Sequence, residues 1–151
     1  MSDCKDIYQK LGGNQECYSS DKSASEQGKT FVINSKKHPK VCRIKLDKCL
    51  IPAVAHQKQC DYLFVEVREN DELEYLFVEL KGNAKEASYA FEQICQAIEF
   101  IKKKVGQIPQ KHIRGFIVGG KDTQEMNRLK EKFKRSIGLE LKHSTGSRYE
   151  F

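Results

Sequence analysis

Residues 60–82 read CDYLFVEVRENDELEYLFVELKG. Two runs rich in aromatic and β-branched residues, 61–67 and 75–81, flank a polar centre, and this pattern predicts a β-hairpin. If the tip lies near Asn70 and Asp71, antiparallel pairing joins positions whose numbers sum to about 140 to 142. Asp61 then lies opposite Glu79 or Lys81, so the register brings two carboxylates and a lysine together.

Strand pleating places Glu79 and Lys81 on one face and Leu80 on the other. Two carboxylates about 5 Å apart across a ladder repel each other, and a divalent cation held between them offsets that cost. Such a cation lowers the pKa of a bound water, while an ammonium group orients the water or stabilises the developing charge. These residues therefore predict phosphodiester hydrolysis with Mg²⁺ or Mn²⁺. A plain ion pair at the strand ends is the alternative.

The pattern of Asp61 followed by Glu79-x-Lys81 resembles the PD-(D/E)xK nuclease superfamily, with Cys60 in place of the usual proline. The resemblance covers about residues 41–120. It implies an α/β fold with a mixed central sheet, flanking helices and a restriction-endonuclease-like αβββαβ core. It also implies that Gln93 supports the water or a phosphate. The Leu80 carbonyl is a further candidate metal ligand because the backbone there lies beside both acids. A solvated position beside the apolar stripe of its helix is the other interpretation of Gln93.

Many superfamily members take a third carboxylate from elsewhere in the chain, and two candidates stay open. Glu26 falls in a predicted loop, and Asp47 can equally cap a turn.

The chain is predicted to form one domain, residues 1–151, with a core at about 41–120 and a basic helix and strand at 121–151. The remaining pattern predicts a helix at 3–11 ended by Gly12 and Gly13, and a loop at 14–28. Strands are predicted at 31–34, 41–46, 112–118 and 139–141. A long helix capped by Asn83 and Glu86 runs to Gly106, and a second helix opens with Asp122 and Glu125 as its capping box.

Charge is unevenly distributed along the chain. Residues 1–100 hold 14 Lys and Arg against 16 Asp and Glu, whereas residues 101–151 hold 13 against 5. Basic side chains release counterions from nucleic acid, so the C-terminal part is the expected nucleic-acid-facing region. A solubilising helix surface is the alternative. The candidate phosphate contacts are Lys102, Lys103, Lys104, Lys121, Lys130, Lys134 and Arg135.

The six cysteines show no metal-ligand spacing and are expected to be reduced thiols. The four histidines are expected on the surface or in loops. No apolar stretch reaches the roughly 18 residues of a membrane span, and the start lacks a signal-peptide pattern, so a cytoplasmic location is predicted.

The sequence thus predicts a nuclease, with DNA ahead of RNA as substrate and a homodimer as one arrangement to test. A non-catalytic nucleic-acid-binding or assembly module that keeps the nuclease fold is the rival, and an interaction partner of a larger nuclease or toxin is a third interpretation.

Overall fold

A computed structural model describes residues 2–52, 60–80 and 87–151 of the chain. The helices in these residues are α1 (Ser2–Leu11), α2 (Ala87–Val105) and α3 (Gln124–Ser136), with 3₁₀ turns at Gln15–Cys17 and Gln110–His112. The strands are β1 (Tyr18–Ser19), β2 (Ser23–Glu26), β3 (Lys29–Val32), β4 (Val41–Lys45), β5 (Tyr62–Val67), β6 (Leu73–Glu79), β7 (Ile113–Val118), β8 (Glu140–Ser144) and β9 (Arg148–Glu150).

Six of the strands form a mixed sheet in the order β1-β4-β5-β6-β7-β8. The predicted hairpin is confirmed, because β5 and β6 pair antiparallel with Tyr62 opposite Val78. β7 lies parallel to β6, and β8 lies parallel to β7. A second sheet has the order β2-β3-β9. The fold is therefore mixed α/β, as predicted.

The large sheet is covered on both faces, which explains why residues 61–67 and 75–80 are apolar at nearly every position. On one face, Phe77 packs in a core with Ile94 and Ile98 of α2. On the other face, Val78 and Leu80 pack in a second core with Phe31 of the small sheet. Successive residues of β6 therefore alternate between a helix-covered face and a sheet-covered face.

Helix boundaries follow the sequence closely. Gly12 and Gly106, which follow α1 and α2, both have positive φ, a conformation that glycine adopts at little cost. The cap of α3 differs from the prediction. The Thr123 side chain accepts the hydrogen bond from the Met126 N–H group, whereas Asp122 contacts His143. The predicted cap of α2, Asn83 with Glu86, lies outside the described residues.

The predicted loop at 14–28 is wrong, because it contains a 3₁₀ turn and the strands β1 and β2. These strands are short and Ser-rich, and they exist because partners lie beside them: β1 pairs with β4, and β2 pairs with β3. Pairing and packing outweigh intrinsic β-propensity in such segments.

The expectation of reduced thiols is also wrong for four cysteines. Disulfides join Cys4 to Cys42 and Cys17 to Cys49, with Cα separations of 5.2 and 5.6 Å. The fold places α1 and the first 3₁₀ turn against β4 and the turn that follows it, and this brings distant cysteines within bonding range. Cys60 and Cys95 are free. Among the described helices, none is long and apolar enough to cross a membrane.

Candidate functional site

Asp61 and Glu79 meet at one edge of the large sheet, where β5 begins and β6 ends. Continuing the β5–β6 register by one residue from Tyr62 and Val78 sets Asp61 opposite Glu79. The Leu80 N–H group donates a 2.8 Å hydrogen bond to Asp61 Oδ2. The Asp61 main-chain oxygen accepts a second hydrogen bond, of 3.0 Å, from the Leu46 N–H group. Asp61 is thus held by both neighbouring strands.

Both acids belong to the helix-covered face of the sheet. Glu79 follows Phe77 by two residues and Asp61 precedes Leu63 by two, and Phe77 and Leu63 both pack in the core under α2. Gln93 lies on α2 and is also buried. The exposed fractions are 1% for Asp61, 0% for Glu79 and 6% for Gln93. Of the two positions considered for Gln93, the solvated one is therefore wrong.

Cys60 lies in a negative electrostatic environment. Burial raises the pKa of the Cys60 thiol well above its usual value, and the Glu79 and Asp61 carboxylates raise it further. The thiol donates to the Val78 main-chain oxygen at 3.2 Å. Cys60 is therefore a neutral packing group beside two acids.

Mg²⁺ and Mn²⁺ suit this donor set. Two carboxylates and a main-chain carbonyl are hard oxygen ligands, and Mg²⁺ usually keeps several waters beside one or two carboxylates. Within residues 2–52, 60–80 and 87–151, no group of three or more His, Cys, Asp or Glu side chains is arranged to hold a metal ion. Metal binding by Asp61, Glu79 and the Leu80 carbonyl stays a prediction.

Lys81 lies outside the described residues, so its predicted role stays a prediction. In the sequence, residues 53–59 precede Cys60 and residues 81–86 follow Leu80.

The two candidates for a third carboxylate are placed differently. Glu26 lies in β2, not in a loop, and its Oε1 accepts from the Tyr62 hydroxyl group at 3.4 Å. Tyr62 packs on the sheet-covered face, opposite to the face of Asp61, so Glu26 is on the wrong side. Asp47 follows Leu46, whose N–H group contacts Asp61, and it is the candidate at the edge of the site.

The predicted basic residues fall at two ends of the molecule. Lys121 lies between β7 and α3, at the edge that carries Asp61 and Glu79. Lys102, Lys103, Lys104, Lys134 and Arg135 lie in the last turns of α2 and α3, and Lys130 is half-buried in α3. Each helix leads back to the start of a parallel strand, so these last turns lie near the opposite edge, about 20 Å along β6.

Surface cavities support this separation. A cavity of about 460 Å³ is lined by Lys104 together with Asp71 and Glu72 of the hairpin tip. A larger cavity of about 640 Å³ is lined by Tyr8 and Tyr18, near α1. Asp61 and Glu79 line neither of these cavities.

Each histidine in the described residues contacts a carboxylate. His38 Nδ1 lies 2.8 Å from Glu66, His112 Nδ1 lies 3.1 Å from Glu74, and His143 Nε2 lies 2.7 Å from Asp122. His112 is buried and His143 belongs to β8, so the expectation of surface or loop positions is wrong for these two. His56 lies outside the described residues.

Comparison of the chain with protein-family models, with curated proteins and with solved structures finds no match.

Proposed function

We propose that this protein is a metal-dependent nuclease of the PD-(D/E)xK class that hydrolyses phosphodiester bonds, with DNA as the first substrate to test. With β1, β2 and β3 set aside, which come between α1 and β4, the elements α1, β4, β5, β6, α2 and β7 follow the αβββαβ order that the sequence resemblance implies, and this supports the proposal. In the sheet, β5 and β6 are neighbours, and β7 runs parallel to β6.

The observation that carries the proposal is the pairing of two buried acids, Asp61 and Glu79, beneath a helix that carries a buried glutamine. Two acids side by side in a buried position form a set of hard oxygen donors of the kind that Mg²⁺ or Mn²⁺ takes from carboxylates.

The chemistry is an attack of water on phosphorus. The water oxygen forms a bond to phosphorus and releases a proton to solvent, the bond from phosphorus to one sugar oxygen breaks, and that oxygen leaves with a proton taken from solvent. When bound, a divalent cation lowers the pKa of the attacking water and offsets negative charge on the phosphate. Asp61 and Glu79 would hold the cation, Lys81 would orient the water, and Gln93 would donate to the water or to a phosphate oxygen.

Cleavage of labelled single-stranded DNA, duplex DNA and RNA in Mg²⁺ or Mn²⁺ tests the proposal. Asp61→Asn, Glu79→Gln and Lys81→Met should each lower the cleavage rate by 100-fold or more, on the order of the loss seen when a group that stabilises the transition state is removed. Glu74→Gln is the matched control, because Glu74 is buried in the same strand but contacts His112. Equal loss in the control and the site variants would sink the proposal.

The second candidate is a nucleic-acid-binding module without catalysis. It is favoured by the hydrogen bond from the Leu80 N–H group to Asp61, because that contact also serves to join the ends of β5 and β6. Binding of DNA with no cleavage under any metal condition would support it. Cytoplasmic location and homodimer formation stay predictions, and the two disulfides favour an oxidising compartment over the cytoplasm.

A further inference from the structure

We propose that Lys48 binds a phosphate group of a nucleic-acid strand that lies across the Asp61–Glu79 edge of the sheet, with Lys121 contacting the same strand at the other side of that edge. The class of ligand rests on the proposed function, but the binding step is separable from cleavage and is tested without it.

The position of Lys48 follows from the hydrogen bond that joins β4 to the site. The Leu46 N–H group donates to the main-chain oxygen of Asp61 at 3.0 Å, and Lys48 follows Leu46 by two residues. The turn at 46–51 begins where β4 ends, beside the start of β5. Lys48 is therefore at the same edge of the sheet as Asp61.

The backbone at Lys48 is held in an uncommon conformation. Its φ is 60°, in the left-handed region that costs energy for a residue other than glycine. The Cys49 and Ile51 N–H groups both donate to the Leu46 oxygen, at 3.2 and 2.9 Å, and Cys49 is joined to Cys17 by a disulfide. A turn fixed in this way loses little backbone entropy when its side chain binds a ligand.

The charge of Lys48 is also available to a ligand. The side chain is exposed, and within the part of the chain that the structure describes it makes no ion pair. Lys45, at the end of β4, contrasts with it because its ammonium lies 3.9 Å from Glu26 on the sheet-covered face. An exposed cation at the edge that carries Asp61 and Glu79 suits a phosphodiester, whose negative charge it can contact directly.

Lys121 is the second proposed contact of the nucleic-acid strand. It is exposed and follows β7, so three inter-strand steps separate it from the end of β4, or about 14 Å. One strand of nucleic acid covers that distance in about four nucleotides at 3.4 Å each. Asp61 and Glu79 lie between the two lysines. The lysines in the last turns of the helices, about 20 Å away, are too far to hold the same short stretch.

Binding measured by fluorescence anisotropy in EDTA tests the inference without cleavage. The probes are a labelled single-stranded DNA 12-mer and the matching duplex. Lys48→Ala and Lys121→Ala should each weaken binding of at least one probe by 5-fold to 20-fold, and each should reduce the salt slope by about 0.7 to 0.9. Lys40→Ala, an exposed lysine before the other end of β4, is the matched control and should change binding by less than 2-fold.

An equal effect of Lys48→Ala and Lys40→Ala, or no binding by the unaltered protein, overturns the inference. Parallel cleavage assays in Mn²⁺ separate the two proposals. Binding that depends on Lys48 without any cleavage removes the nuclease proposal and keeps this one. Cleavage with equal kcat/KM in the Lys48 and Lys40 variants keeps the nuclease proposal and removes the inference about Lys48.

The disulfide supplies a second test. Replacing Cys17 and Cys49 together by alanine should weaken nucleic-acid binding when Lys48 is present. In the Lys48→Ala variant the same replacement should cause little further loss of affinity, because both changes act on the same contact. Circular dichroism of each variant establishes that it is folded. Additive losses would show that the disulfide does not act through Lys48.

Discussion

Glu66 and Glu74 lie directly opposite each other in the β5–β6 ladder, and both side chains are buried. Arg68 contacts both carboxylates, with Nη2 3.5 Å from Glu66 Oε1 and Nε 3.6 Å from Glu74 Oε1. His38 and His112 each contact one of the two. This pair of acids lies at the end of the hairpin opposite to Asp61 and Glu79, and the Arg68 guanidinium compensates its charge.

Arg68→Met should lower the free energy of unfolding by about 1–2 kcal/mol, between the values typical of exposed and of buried ion pairs. The reason is that two facing carboxylates then lose the guanidinium they share, while the aliphatic stem is kept. Urea unfolding measures the effect. Arg148→Met, at an exposed position in β9, is the control, and equal effects in the two variants would contradict the assignment.

Metal binding should be visible as stabilisation. At a Mn²⁺ concentration ten times its Kd, binding to the folded state contributes about 1.4 kcal/mol, which corresponds to a rise in Tm of about 3–6 °C. Asp61→Asn should abolish this rise, whereas Glu74→Gln should keep it. A rise that survives in Asp61→Asn would place the metal elsewhere on the chain.

The covalent state of the cysteines can be counted by mass spectrometry after alkylation. The unfolded, unreduced protein should take up two alkyl groups, and the reduced protein six, because two disulfides hold four of the six cysteines. In the native state at pH 8 both free thiols should react slowly. Burial raises the pKa of Cys95 to about 11, and Cys60 is buried entirely. Six groups without reductant would contradict the disulfides.

Each disulfide should stabilise the fold. The bonds close loops with sequence separations of 38 and 32 residues. Chain-entropy estimates for such loops are about 3–4 kcal/mol each. Replacing Cys17 and Cys49 by alanine should therefore lower the midpoint of urea unfolding, and replacing the free, half-buried Cys95 should have a smaller effect. Equal midpoints for the double variant and the unaltered protein would argue against a closed bond.

The hairpin and its register could be predicted because the information is local. The two apolar runs and the polar tip lie within residues 60–82, and the opposition of Asp61 and Glu79 follows from counting outward from the tip. The helix stripe containing Phe91 and Ile98 is equally local. The spacing of apolar residues along a strand or helix depends only on which of its faces are covered by other elements.

Other features depend on contacts between distant segments, and no local pattern contains them. β9 pairs with β3, although more than a hundred residues separate them. The two disulfides form for the same reason. The basic residues were grouped by their closeness in sequence, but the crossover helices carry Lys102 and Lys121 to opposite edges of the sheet. The position of Lys48 at the edge of Asp61 was not predictable, because it depends on the hydrogen bond between Leu46 and Asp61.

Gly138 illustrates a requirement for glycine that arises from close packing. A Cβ atom at this position would lie 2.5 Å from Phe133 Cε1 and 2.7 Å from the Ile113 main-chain oxygen. That oxygen also accepts a 2.7 Å hydrogen bond from the Leu139 N–H group at the start of β8, so it cannot move away without breaking the entry to the strand. Gly138→Ala should therefore destabilise the protein by about 1–3 kcal/mol.

Gly146→Ala is the control for this prediction, because nothing lies within 4 Å of the added Cβ atom. Its effect should stay within about 0.5 kcal/mol. Thermal or urea unfolding of both variants makes the comparison. If Gly138→Ala unfolds with the same midpoint as Gly146→Ala, the end of α3 and the start of β8 are not packed as closely as the contact with Ile113 requires.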